Sequence, residues 1–231
     1  MPVVAEPRLR TVRVWDLPTR LFHWLLTACV VGSFVSAKIG GAAMVWHLRL
    51  GYAVATLLLF RLVWGFVGGR WSRFGHFVRS PATVLRYLRG DARAGDWFDV
   101  GHNPLGALSV LAMLGFLAAQ VASGLFADDE IATTGPLIRF VSGATSLQLT
   151  WYHKAVGEAA LLVLVVLHLL AIGYYTWRGS SLVRPMIGGD QAIDAARDVP
   201  AAADGAGPRL LAAALVAACA GGVAWLVSLG G

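Results

Sequence analysis

Four of the six histidines lie within or at the ends of long apolar stretches of the sequence, namely His23, His47, His153 and His168. An ionisable side chain inside a membrane span costs free energy, so it usually marks a functional position. Neutral imidazole is also the commonest side-chain ligand for metals. The set therefore indicates metal or cofactor chemistry within a bilayer. For any single one of these residues, hydrogen bonding between packed helices is the alternative.

The spacing of His153 and His168 limits what they can bind. Fifteen residues of α-helix rise about 22 Å and make about four turns, so both side chains point to roughly the same side at opposite membrane depths. One metal ion cannot bridge that distance. Two separate cofactors could each use one of these histidines.

Each of these histidines has a potential partner at its own depth. His23 opens the first apolar segment and pairs by depth with His168, whereas His47 opens the second and pairs with His153. Two neutral imidazoles from facing helices suit a six-coordinate b-type haem in a bundle. With no open coordination position, such a haem carries electrons and does not bind oxygen. Zinc is the rival metal, but the sequence offers no third and fourth ligand at either depth.

The rest of the chain must hold these pairs in a membrane. Hydrophobic residues make up 57% of the 231 residues and charged residues 14%, and the mean hydropathy is +0.66. We therefore expect an all-α integral membrane protein with its first four transmembrane helices within residues 1–180. A cytoplasmic linker at 181–209 and a fifth C-terminal transmembrane helix at 210–231 would follow. The five segments that approach the span length of about 20 residues are 21–37, 46–67, 104–126, 151–177 and 210–229.

Basic residues predict the orientation. Fifteen of the nineteen Lys and Arg residues fall on one side of the predicted spans, which by the positive-inside rule is the cytoplasm. This predicts that the N-terminus is cytoplasmic and that the C-terminus, after five spans, lies on the opposite side of the membrane. The net charge of +6 is spread along the flanks of apolar runs and forms no single stripe, which argues against nucleic acid as a partner.

Two segments outside the spans have a recognisable character. Ser80 is a plausible N-cap with Pro81 at the first helical position, which predicts a short helix near 80–90 lying on the membrane surface. The stretch 188–207 is rich in Ala, Asp and Gly and predicts a flexible cytoplasmic linker. Cys29 and Cys219 lie in apolar runs as inert thiols, and no Cys-x-x-Cys-His motif for c-type haem attachment is present.

Haem propionates need cationic or hydrogen-bond-donating partners near the headgroups. Arg20, Arg61 and Arg70 could serve on the inner side, with membrane anchoring as the alternative. His102 precedes Pro104 at the mouth of the third span and could accept a proton beside a propionate; alternatively, it caps that helix. Clefts for a flat macrocycle need small residues, and the candidates are Gly32, Gly51, Gly106, Gly115, Gly124 and Gly157.

The sequence contains VWDLPTRLFHW at 14–24, HLRLGY at 47–52, RLVWG at 61–65, GHNPLG at 101–106, DDE at 128–130, GPL at 135–137 and the His153/His168 pair. Over roughly residues 10–180 these motifs resemble those of the bacterial cytochrome b561 family, which includes the b-type subunits of nickel–iron hydrogenases. The resemblance implies a four-helix transmembrane bundle over residues 1–180 that binds two haems, with His23, His47, His153 and His168 as axial ligands. It also implies a bacterial cytoplasmic (inner) membrane with the C-terminus periplasmic, and quinone or quinol as the lipid-soluble partner, beside which His102 could accept a proton.

Three functions follow as hypotheses. The first is transmembrane electron transfer between the quinone pool and a redox partner protein. The second is a haem-containing membrane anchor for a peripheral dehydrogenase or hydrogenase. The third, a proton-coupled transporter, is disfavoured because no inverted repeat or broken helix is visible. In the outer loop, Asp128, Asp129 and Glu130 could steer a basic partner such as a c-type cytochrome, or could merely keep the loop soluble.

Overall fold

Five long helices dominate the computed structural model, which describes residues 8–93 and 95–230. All five spans are long and apolar enough to cross a membrane. Within the described ranges the elements are, in chain order, β1 Leu9–Arg13, α1 Leu17–Ile39, α2 Met44–Val67, α3 Phe74–Phe77, α4 Pro81–Arg89, α5 Pro104–Leu125, α6 Gly143–Trp151, α7 Glu158–Trp177, α8 Val183–Gly188, β2 Asp190–Asp194 and α9 Ala206–Ser228. The predicted membrane-embedded helical architecture is confirmed.

Side-chain caps explain where several helices begin. The Asp16 carboxylate accepts a hydrogen bond from the Thr19 amide at 2.8 Å, so α1 starts four residues before the predicted segment. Ser80 caps α4 in the same way, as its sequence predicted. Asn103 caps α5, accepting from the Gly106 amide at 2.7 Å.

The fourth span is longer than expected. Ser142 caps α6, and α6 continues through a π-helical segment, Tyr152–Gly157, directly into α7. Residues Gly143–Trp177 thus form one 35-residue helical stretch. At 1.5 Å per residue it is about 50 Å long, against about 30 Å of hydrocarbon. His153 therefore lies inside this helical stretch, not at its start.

The five spans run alternately up and down. We call the end that carries β1, the start of α1 and the end of α2 the sheet end, and the end that carries the loop 126–142 the loop end. Little of the spans is buried by protein: between 6% and 33% of each 18-residue apolar window. The remaining apolar surface faces outward, as expected for contact with lipid.

A small folded cap closes the sheet end. Strands β1 and β2 pair antiparallel, with Thr11 opposite Ala192. Beneath them lies a cluster of buried apolar side chains: Val12, Val14, Trp15, Trp71, Val100, Ile193, Val199 and Ala202. The prediction of a flexible linker over 188–207 is therefore wrong. The segment 188–207 holds too few apolar residues to form a hydrophobic core by itself. Its apolar side chains are buried only because they pack against residues distant in sequence.

The fifth helix packs beside the bundle, mainly against α2. Its Ala212 belongs to the same buried apolar cluster as Phe22, Phe60 and Trp64 of the first two helices. Asp204, just before α9, accepts a hydrogen bond from the Leu17 amide at 2.9 Å and pairs with Arg13 at 3.0 Å and Arg209 at 3.2 Å. The start of α9 is thereby tied to the start of α1.

Candidate functional site: two histidine pairs at opposite ends of the bundle

The structure brings the four span histidines together in the two predicted pairs. At the sheet end the ring centroids of His23 and His168 lie 6.4 Å apart. At the loop end those of His47 and His153 lie 5.9 Å apart. Each pair joins one of the first two helices to the long fourth span, and all four rings are half-buried. Matching by depth therefore predicted both partnerships.

These separations fit a single metal between two imidazoles. A metal–nitrogen bond of about 2 Å on each side, with each ring centroid about 1 Å beyond its nitrogen, places the centroids about 6 Å apart. Among the residues that the structure describes, neither pair belongs to a group of three or more His, Cys, Asp or Glu side chains. A site with two protein ligands suits haem, because the porphyrin supplies the other four.

At the loop end, backbone carbonyls fix the tautomer of both histidines. His47 Nδ1 lies 2.9 Å from the Ser33 carbonyl oxygen, and His153 Nδ1 lies 2.9 Å from that of Gln120. A carbonyl can only accept, so each Nδ1 donates and each Nε2 keeps its lone pair for a metal. This second shell of hydrogen bonds is typical of metal-binding histidines.

Gln120 was not foreseen, and it holds His153 in two ways. Its backbone oxygen accepts from the ring, and its side-chain Nε2 donates to the His153 carbonyl oxygen at 2.8 Å. His153 lies in the π-helical segment, where the i→i+5 hydrogen-bond pattern departs from that of an α-helix. Gln120 is the one amide side chain in α5, and an intramembrane polar residue is itself a signal that could have singled it out.

Two of the glycines predicted to make room are essential to the loop-end geometry. A Cβ on Gly124 would come within 2.8 Å of the His153 ring. Any larger residue at position 124 would therefore displace the ring. A Cβ on Gly157 would overlap the side-chain oxygen of Gln120. The sequence indicated glycines in general, but not which of them mattered.

The sheet-end pair has different surroundings. His23 Nδ1 is buried and has no hydrogen-bond partner within the described chain. Close by, Asp16 is completely buried and accepts from Trp64 Nε1 at 3.2 Å and Ser72 Oγ at 2.8 Å, in addition to capping α1. Arg61, 3% exposed, stacks on Phe74 and Phe77, with its Cζ 5.0 and 5.6 Å from the ring centroids.

His102 stands on the same side of the molecule, between Trp15 and Phe77, with ring centroids 4.7 and 5.0 Å away. Burial, reinforced by the positive charge of Arg61, lowers the pKa of His102 to about 3, so its ring is neutral at physiological pH. The reading of His102 as the cap of α5 is wrong, because Asn103 provides that cap.

Arg20, another predicted propionate partner, and Lys38, which the sequence did not single out, are engaged in contacts within the protein. Arg20 Nη1 donates to the Ile187 carbonyl at 2.6 Å, and Nη2 lies 3.7 Å from Asp204, so the side chain is committed to the cap. At the loop end, Lys38 pairs with Glu158 at 2.6 Å and links α1 to α7.

The acidic outer loop is largely occupied with its own backbone. Asp129 Oδ1 accepts from the amides of Ile131, Ala132 and Thr133 at 2.8–2.9 Å. These amides hold the pKa of Asp129 well below its usual range. Asp128 Oδ1 accepts from the Glu130 amide at 2.8 Å. Of the three acidic residues, Glu130 is exposed, whereas Asp128 and Asp129 are half-buried.

A multi-pass helical bundle with two facing histidine pairs at opposite membrane depths defines a class: membrane cytochromes that carry haem between helices. A sequence profile described as prokaryotic cytochrome b561 matches residues 14–189. The chain belongs to this family, which implies haem b and a role in membrane electron transport.

Individual relatives are similar over about half to four-fifths of the chain. A probable Ni/Fe-hydrogenase B-type cytochrome subunit from Azotobacter vinelandii is 27% identical over 225 residues, covering 77% of this chain and 87% of the relative. The corresponding protein of Rhizobium leguminosarum bv. viciae is 24% identical, covering 79% and 89%. The probable Ni/Fe-hydrogenase 1 B-type cytochrome subunit of Escherichia coli (strain K12) is 28% identical, covering 47% and 55%.

Proposed function

We propose that this chain transfers electrons across the bacterial inner membrane through two bis-histidine b haems. His23 and His168 would hold one haem at the sheet end, and His47 and His153 the other at the loop end. The observation that carries the proposal is the pair of ring separations, 6.4 and 5.9 Å, each compatible with one iron between two imidazoles. Haem held in this way supplies a one-electron carrier with no open coordination position.

The residues around the pairs have separable roles in this proposal. Ser33 and Gln120 present carbonyl oxygens that orient the loop-end imidazoles and raise their basicity as ligands. The half-buried position of all four rings within apolar helices limits the access of water. Fixed ligands on rigid helices keep the reorganisation on electron transfer small.

For the exchange partners, we propose the quinone pool and a hydrogenase subunit. Quinone comes from the family resemblance, and the exposed apolar faces of the spans give a lipid-soluble molecule access to the bundle. The three relatives described above are hydrogenase cytochrome subunits, which favours a hydrogenase partner that this chain also anchors to the membrane. A basic c-type cytochrome is less favoured, because Glu130 is the one exposed carboxylate among Asp128, Asp129 and Glu130.

The direct test uses proteoliposomes that contain an oxidant such as ferricyanide inside and receive a quinol outside. We expect reduction of the internal oxidant by the purified wild-type protein, and at least tenfold slower reduction by either His168→Ala or His153→Ala, because each removes one of two carriers in series. Equal rates for wild type and both variants would contradict the proposal. Liposomes without protein give the leak rate.

We further propose that the sheet end is cytoplasmic and the loop end periplasmic, on the basis of the basic-residue bias. A reporter fused after Arg93 should then behave as cytoplasmic, and one fused after Ser142 as periplasmic. The opposite pattern would reverse the proposed orientation without affecting the haem ligands.

A further inference from the structure

We infer that Arg61 and His102 together bind a carboxylate at the sheet end, and that this carboxylate is a propionate of the haem held by His23 and His168. This assignment rests on the proposed function and adds to it a second contact surface for the same cofactor. Its starting point is a pair of buried polar groups, Arg61 Nη1 and His102 Nδ1, that have no hydrogen-bond partner in the part of the chain that the structure describes.

Arg61 is the strongest of these groups. Its side chain is 3% exposed, yet its Nη1 has no hydrogen-bond partner among residues 8–93 and 95–230. An uncompensated buried guanidinium is costly, and removal from water is tolerated when an anion takes its place. Arg61 lies six residues from the end of α2, and His23 lies six residues from the start of α1, so the two share one membrane depth.

Asp16 is the obvious anion to consider, but it does not account for Arg61. The two carboxylate oxygens of Asp16 are taken by the Thr19 amide, Trp64 Nε1 and Ser72 Oγ. In the described part of the chain, no ion pair within 4.0 Å joins Asp16 to Arg61. Asp16 therefore affects Arg61 only through the longer-range attraction between their charges. It accepts no hydrogen bond from Arg61 Nη1.

His102 completes a cradle for an anion. Its ring and the Arg61 guanidinium both lie against Phe77, at 5.0 and 5.6 Å from the ring centroid. Its Nδ1 is buried, with no partner in the ranges that the structure describes. His102 directly precedes the capping residue of the 22-residue helix α5, whose N-terminal dipole also favours negative charge. A guanidinium, an imidazole N–H and a helix N-terminus are all suited to one carboxylate.

The structure also distinguishes Arg61 from Arg20, which the sequence had likewise offered as a propionate partner. Arg20, an inner-side candidate in the first helix, already donates to the Ile187 carbonyl and lies 3.7 Å from Asp204. Its Nε is also buried without a hydrogen-bond partner in the described ranges, but the Asp204 carboxylate already stands beside its guanidinium. Arg61 in α2 has a free donor and no carboxylate within 4.0 Å among the described residues, and no buried arginine matches it at the loop end there.

The test is a redox titration of the purified protein with the two haems resolved and assigned by the His168→Ala variant. In Arg61→Met, the equilibrium constant for reduction of the sheet-end haem should fall about tenfold, or about 59 mV for a one-electron couple, because a buried cation no longer balances the propionate. The loop-end haem should not shift. Arg139→Met is the matched control: Arg139 also stacks on an aromatic ring, with its Cζ 4.9 Å from the centroid of Phe140, but at the loop end.

A second arm separates a propionate contact from a general charge effect. The protein is reconstituted with haem dimethyl ester, whose propionates carry no charge, and the Arg61→Met shift is measured again. A contact between the two groups predicts non-additive effects, with a clearly smaller shift in the esterified protein. An equal shift with both haems, or no shift with haem b, would overturn the assignment.

Two further outcomes are distinguishable. If Arg61→Met fails to retain the sheet-end haem, Arg61→Lys and His102→Asn should retain it and show smaller shifts to lower potential; unshifted potentials in both would overturn the assignment. If the wild-type protein binds no haem at all, the proposed function fails, and the propionate site falls with it for that separate reason.

Discussion

The two histidine pairs share their ligand type and differ in how the protein supports them. At the loop end, each ring donates to a backbone carbonyl, and Gly124 leaves room for one ring. At the sheet end, His23 Nδ1 has no such partner among the described residues, and a buried arginine and a histidine stand nearby. The loop-end site is thus shaped by hydrogen bonds and steric fit, whereas the sheet-end site is shaped by charge. Changes to packing should affect one site, and changes to charge the other.

The largest expected effect comes from filling the space beside His153. Gly124→Leu places a side chain where the ring lies, so we expect loss of the loop-end haem and retention of the sheet-end haem. Haem quantitation by pyridine haemochrome measures this as a fall from two haems to one per chain. Gly221→Leu is the control, since a Cβ at Gly221 meets nothing within 4 Å. Two haems per chain in Gly124→Leu would refute the steric account.

A smaller effect should follow from Gln120→Leu. The variant keeps the backbone carbonyl that accepts from His153 but loses the hydrogen bond to the His153 carbonyl oxygen and loosens the π-helical segment. Loss of a hydrogen bond that holds a metal-binding residue in position typically weakens metal binding about 10–100-fold. Competition with a haem scavenger should show this loss at the loop end and leave the sheet-end haem unchanged. Equal weakening at both ends would mean that Gln120 supports the bundle in general.

At the sheet end, we expect one substitution to lower the stability of the fold without changing either haem. Asp204→Asn weakens the contacts that tie the start of α9 to Arg13, Arg209 and the Leu17 amide. A cost of about 1–2 kcal/mol is expected, because the Asp204 side chain is only 8% exposed while those of Arg13 and Arg209 are 31% and 48% exposed and partly screened by water. Thermal unfolding in detergent should therefore occur at lower temperature, with both midpoint potentials unchanged. A shifted sheet-end potential would show that the cap also controls that haem.

The smallest effect concerns the acidic loop. Glu130→Gln removes the exposed carboxylate and spares Asp128 and Asp129, whose oxygens hold the loop together. If the loop steers a basic partner, electron exchange should slow severalfold at low ionic strength and recover as salt screens the attraction. If the variant's stopped-flow rates match those of the wild type at low salt, Glu130 does not steer a partner and the loop has only a structural role.

Much of this arrangement could be predicted from the sequence, and the rest depended on long-range packing. Hydropathy located all five spans, and the fifteen-residue interval between His153 and His168 predicted two sites at different depths. The cap at the sheet end could not be foreseen, because β1 and β2 are short and lie about 180 residues apart. Spacing alone also could not show that Asn103, and not His102, caps α5. Gln120 escaped notice because its role depends on the π-helical segment across from it.

The central claim is that each histidine pair holds its own haem, and haem stoichiometry in single and double variants tests it most directly. Purified wild-type protein should contain two low-spin b haems per chain, His168→Ala one, His153→Ala one with a different midpoint potential, and the double variant none. A single variant that keeps two haems, or two single variants that lose the same one, would contradict the claim.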